Sequence, residues 1–213
     1  MKKGFSKMFM WLFIGLLITF LMGYTLSLYP ITMAKILGGY GYLILAVVEL
    51  FVAIFFSARL HKMSTTTAII CYILYCCLTG LTFGAIFFVY ELMSILSVFL
   101  ATSLMFLVFA VIGYTTKKDM SKFSLWLFMS LVAVVIASIV NIFIKSSMFD
   151  LVITILFIVI FLGYIVFDMK NAEVLMDSVG EEKGAIYGAF QLYLDFINLF
   201  IELLKLLGKL KDD

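Results

Sequence analysis

Between residues 67 and 114 the chain carries one charged side chain, Glu91. A stretch that long and apolar is about twice the roughly 20 residues one helix needs to cross about 30 Å of hydrocarbon. It reads as two membrane spans meeting near Tyr90 to Met93. The rest of the chain has the same character: of 213 residues, 65% are hydrophobic and 13% charged, against roughly 45–50% and 25% in soluble domains. Too little polar surface remains to cover a globule. A soluble enzyme is therefore excluded, and the apolar residues suffice for about seven spans.

Only helices and closed barrels satisfy the backbone in lipid, and apolar runs of this length without period-two alternation point to helices. The expected fold is an all-α membrane protein, a single seven-helix domain. Its spans fall at about 8–29, 42–58, 67–90, 93–114, 123–144, 151–170 and 184–207. The first follows a basic start, but it is longer than a signal peptide's apolar region and lacks a small-x-small cleavage site, so it is expected to be retained. Pro30, the only proline, ends it. Residues 171 to 183, with Glu173, Asp177, Glu181, Glu182 and Lys183, are expected to form a solvated loop.

Basic residues set the orientation. Lys2, Lys3, Lys7, Arg59, Lys62, Lys117, Lys118 and Lys122 all fall on one side of the alternating scheme, and Lys35 and Lys145 on the other. That places the N-terminus in the cytoplasm of a cell-membrane protein. The tail lysines Lys205, Lys209 and Lys211 oppose this if the seventh segment crosses fully; a full crossing is still preferred to a re-entrant one. A net charge of +2 is too small for a nucleic-acid footprint. Cys71, Cys76 and Cys77 have no CxxC spacing, and His61 is the only histidine, so these cysteines read as core residues rather than metal or redox groups. No cofactor is expected.

In so apolar a chain the informative residues are ionisable groups inside spans, each costing a few kcal/mol near the membrane centre unless it meets a partner or water. Glu49, Asp168, Asp195 and Glu202 qualify. Gln191, Asp195, Asn198, Glu202 and Lys205 are spaced 4, 3, 4 and 3 apart, which draws one polar stripe along a helical face. A lipid-facing helix cannot carry it, so the last helix is expected at the centre of the bundle. For Gln191 and Asn198 the plain reading is interhelical hydrogen bonding; a buried carboxylate such as Asp195 is a poor adhesive.

If Asp168 and Asp195 face each other, one shared proton removes the repulsion of two anions, and the pair titrates as a unit. Depth is the obstacle. Counted from Lys183, Asp195 lies roughly 18 Å into the membrane, higher than Asp168 should be. They meet only if span six projects inward beyond Lys170, or if residues 184 to 188 enter the bundle before regular helix begins. Arg59, the only arginine, reads either as an orientation signal or as a bidentate partner for these carboxylates. Glu49 and Lys205 share a depth and can pair. Small-x-x-x-small spacings at Gly80 to Gly84 and Gly184 to Gly188 suit close helix packing.

The segments LYLDFINLF (Leu192–Phe200), GYIVFD (Gly163–Asp168) and LTGLTFG (Leu78–Gly84) together resemble the transmembrane Bax inhibitor motif family. The likeness covers essentially the whole chain, including the acidic tail Asp212 and Asp213. It implies seven helices with the last one central and, for bacterial members, a pH-sensitive calcium leak. Asp168 and Asp195 match the family's paired aspartates, with calcium in transient contact. Arg59 matches its cytoplasmic latch, and Glu49 with Lys205 an outer ion pair in which lysine replaces the arginine of close relatives. The implied mechanism has protonation of the pair, or its ion pair with Arg59, closing the inner end, and loss of the shared proton opening a cation path. The expected partners are the lipid bilayer, calcium and protons, with a monomer as the simplest unit. A calcium/proton exchanger would use the same acids, and a non-conducting regulator of other membrane proteins is the third reading. An intramembrane aspartyl protease is disfavoured, because Leu192, Tyr193 and Leu194 precede Asp195 where such enzymes carry GxGD.

Overall fold

The computed structural model describes residues 2–59 and 62–212; His61 and Asp213 lie outside the described residues. Those described form eight helices and no strand: α1 (Lys2–Ser27), α2 (Pro30–Leu37), α3 (Gly41–Arg59), α4 (Thr65–Val89), α5 (Leu92–Thr115), α6 (Ser121–Ile144), α7 (Ser147–Val179) and α8 (Glu181–Asp212). All but α2 and α8 are long and apolar enough to cross a membrane. Little of the apolar stretch of α3 or α6 is buried, 6% and 11%, and both turn large side chains such as Phe51 and Phe143 outward. Water cannot be the solvent for such faces, and the chain is a multi-pass membrane protein.

Helices α3 to α6 end within two residues of the expected second to fifth spans. The departures lie elsewhere. Pro30 ends α1 but also opens α2: its ring lacks an N–H that a first-turn position does not use, and its fixed φ suits that position. The solvated loop expected over 171 to 183 is instead helix. α7 continues to Val179, Gly180 makes the whole turn, and α8 starts at Glu181. Nothing between Asn171 and Val179 breaks a helix, and Ala172, Leu175 and Met176 give that stretch a buried face. Gly180 has φ +90°, a conformation that L side chains rarely adopt, and its carbonyl accepts the Gly184 N–H at 2.9 Å. Replacing it with alanine should cost about 1–2 kcal/mol, read as a lowered unfolding temperature in detergent; asparagine should cost less. Gly184 seals the elbow, since a Cβ there would lie 2.5 Å from Met176 Cα.

The helices fall into two compact units, one of α1–α4 with Val174–Tyr193, the other of Ser94–Glu173 with α8 from Leu194 onward. In the first, α1 lies close on α4. A Cβ at Gly80 would sit 2.5 Å from Met22 Cβ, and one at Gly84 2.7 Å from Leu26 Cδ2, so the small residues set the approach as the spacing predicts. Above them Phe56, Tyr72 and Tyr75 meet Phe190 edge-on at 4.6, 6.5 and 5.1 Å. The Tyr193 hydroxyl hydrogen-bonds that of Thr19, and Tyr72 donates to the Trp11 carbonyl at 2.8 Å. Lys7 reaches Glu182 at 3.2 Å and Lys183 donates to the Met63 carbonyl at 3.2 Å. These contacts put the start of α1, the approach to α4 and the elbow at one end of the unit.

In the second unit Val134, Ile153 and Ile160 form a core between α6 and α7. Ahead of α6, Asp119 accepts the Ser121 N–H at 2.9 Å, and that bond holds its carboxyl below the usual range. Lys209 of α8 meets Asp150 at 2.6 Å and Thr154 Oγ1 at 2.7 Å. Thus α8 returns along α7 as far as its first turns.

Candidate functional site

The elbow decides where the acids of α7 and α8 fall. Asp168 stands twelve residues before Gly180 and Asp195 fifteen after it, which is roughly 18 and 23 Å of helix. The difference is about one turn, within reach of side chains that lean toward each other. Because α7 projects beyond Lys170, the depth mismatch of the shorter span six disappears.

Asp168 and Asp195 are 6% and 4% exposed, and their carboxyl groups lie within hydrogen-bonding reach of each other. Asp195 Oδ2 is buried without a hydrogen-bond partner among the described residues. Tyr164, one turn before Asp168 on α7, is close enough to interact electrostatically with both acids. Helix α5 backs the pair on both sides. A Cβ at Gly113 would lie 2.6 Å from the Val166 carbonyl oxygen and 3.0 Å from Val166 Cα, so α5 touches the α7 backbone next to Asp168. Phe99 and Phe106 pack on Phe196 at 5.4 and 5.6 Å, fixing the residue after Asp195.

The other candidates have surroundings of their own. On α8, Glu202 is buried and bonds Lys205 of its own helix at 2.7 Å. Asn198 donates to the Leu194 carbonyl at 2.8 Å, so it satisfies its own helix rather than a neighbour. Gln191 belongs to the first unit, where its Oε1 is buried without a partner among the described residues. Glu49, also in the first unit, lies beside Thr82 and Tyr75; its Oε1 is likewise buried and unpartnered among the described residues. Arg59 is exposed, its guanidinium 5.8 Å from the Phe55 ring centre. Sequence reasoning did not single out Tyr164, although its four-residue spacing from Asp168 puts it on the same helical face.

No group of three or more acidic, histidine or cysteine side chains able to hold a metal ion occurs among the described residues. Two carboxyls fall short of the 6–8 oxygens calcium prefers, so this pair by itself is no calcium cage. Two carboxylates side by side repel, whereas one proton between them makes a strong hydrogen bond. The arrangement can therefore hold or release a proton together with a helix contact.

The sequence matches the family described as "Inhibitor of apoptosis-promoting Bax1" over residues 1–212. The chain belongs to the Bax inhibitor-1-like family. Among its relatives, the inner membrane protein YbhL of Escherichia coli (strain K12) is 35% identical over 210 residues, covering 95% of this chain and 90% of that protein. A Borreliella burgdorferi protein is 36% identical over 218 positions, covering 100% and 94%. One from Rickettsia prowazekii is 32% identical over 218, covering 100% and 92%. The Bax inhibitor-1-like match takes in α7 and α8 whole, so the acidic pair lies inside the region of likeness.

Proposed function

We propose that this protein is a pH-sensitive calcium leak channel of the cell membrane, with α8 as a seventh crossing enclosed by the others and the N-terminus in the cytoplasm. The observation that carries the reading is the pair Asp168 and Asp195, two buried carboxyls in reach of each other across neighbouring helices. Protons on this pair set whether the α7–α8 contact holds: a shared proton binds the helices, and a change in its number alters their separation and the path beside them. A few oxygens at one point bind calcium weakly enough to let it leave, as conduction requires. The enclosed position of α8 is supported by its burial, since no side chain from Gly184 to Leu204 is exposed. The contact of Lys209 with the start of α7 favours a full crossing over a re-entrant segment. The orientation is supported by the basic residues at the shared end of α1, α4 and the elbow.

Purified protein in liposomes tests this. Calcium flux should change between about pH 6 and 8, because the proton count of the pair changes with pH, and should proceed without stoichiometric proton countermovement. Flux tied to countermoving protons would make the protein an exchanger at the same acids. No flux without an added protein partner would make it a regulator.

A further inference from the structure

At the end of the first unit where α1, α4 and α8 begin, a half-open cavity of about 210 Å³ separates the three helices. Its walls are apolar, formed by Trp11, Ile69 and Ile186, and its rim is polar, formed by Lys7, Thr65 and Glu182. We infer that this cavity is a binding site for a zwitterionic phospholipid headgroup bearing a primary ammonium, that of phosphatidylethanolamine, with Lys7 taking the phosphate and Glu182 the ammonium.

The rim chemistry selects the headgroup. Lys7 Nζ lies 3.2 Å from Glu182 and 3.9 Å from Glu181, with side chains 41%, 69% and 42% exposed. Such exposed pairs contribute little, so a ligand carrying both signs can part them and give each a new partner. A phosphate accepts from the Lys7 ammonium and the Thr65 hydroxyl, and an ethanolamine ammonium donates to the Glu182 carboxylate. A purely anionic headgroup would leave two glutamates facing negative charge. A choline group, having no N–H, cannot hydrogen-bond Glu182.

Size and position agree with this occupant. The volume falls below the roughly 300–1,000 Å³ of sites that enclose a whole drug-sized ligand, so it suits a headgroup whose chains lie outside along the apolar helix faces. A tryptophan beneath a charged rim is the usual signature of the membrane–water boundary, the depth at which headgroups sit. The site uses none of the residues assigned to the acidic pair, so it stands or falls separately from the channel reading.

Native mass spectrometry of the full chain in detergent, with phosphatidylethanolamine, phosphatidylcholine and phosphatidylglycerol of identical chains competing, tests it. The native protein should retain one phosphatidylethanolamine in preference to either rival by roughly tenfold, the scale of one charge-assisted hydrogen bond. Glu182→Gln should remove that preference and shift retention toward phosphatidylglycerol, because one of the two carboxylates facing Lys7 then carries no charge. Glu173→Gln, outside the cavity, should leave it unchanged. Equal retention of the three lipids by the native protein overturns the proposal even if the variant does not fold. So does an unchanged preference in a folded Glu182→Gln protein. Displacement by an equal concentration of soluble phosphoethanolamine would make the site one for a free phosphate compound and reject the lipid.

Discussion

Asp195→Asn should flatten the pH dependence of calcium flux. The native flux should differ between about pH 6 and pH 8, because two carboxyls that share a proton titrate as a unit; in the variant that difference should vanish. An amide in place of Asp195 still fills the space and can donate to Asp168, so α7 and α8 stay in contact but no proton is shared. Asp168→Asn should have the same effect, and the double variant should add almost nothing, because the groups act as one titrating unit. Liposome flux measured for all four proteins decides the matter. A pH response that survives Asp195→Asn would remove the pair from the mechanism, and additive effects would show two independent groups instead of one.

Gly113→Ala should be among the most damaging single-methyl insertions in the chain. Two of the three atoms that a new Cβ would meet, at 2.6 and 3.0 Å, belong to the Val166 backbone, which has no rotamer to turn away. Overpacking of this kind costs about 1–3 kcal/mol, and leucine should cost more. Gly163→Ala is the matched comparison, because its Cβ would meet the end of a flexible side chain, Leu127 Cδ2, at 2.8 Å. The alanine at 113 should therefore lower the unfolding temperature in detergent by several degrees more than the alanine at 163, at roughly 2–4 °C per kcal/mol for a chain of this size. It should also disturb the pH response, since α7 can yield only by carrying Asp168 away from α8. Equal losses of stability at the two sites would refute the backbone-contact argument.

Much of the fold was legible because the signal was coarse. Uninterrupted apolar runs and the charges between them located α3 to α6, and a single glutamate, Glu91, marked the break between α4 and α5. What escaped was local. The stretch from 171 to 179 resembles a loop in composition, yet Ala172, Leu175 and Met176 give it a buried helical face, and composition cannot tell an exposed helix from an exposed loop. The same ambiguity hid the depth of the acids, because the level of Asp195 depends on where α7 ends. The polar stripe on α8 gave the right periodicity but not the partners. Asn198 and Lys205 turn to their own helix, a choice made by rotamers that spacing does not encode. Tyr164 was overlooked because an aromatic in an apolar span has no distinguishing pattern until its neighbour is known.

The turn at Gly180 has a mechanical corollary. With one residue joining two long rods, the chain has no slack there, and the register of α8 against α7 is locked as teeth lock two gears. Inserting a single alanine between Gly184 and Asp195 would turn everything beyond it by about 100° and advance it by about 1.5 Å, swinging the aspartate off its mate. A joint of a dozen flexible residues would have absorbed the slip.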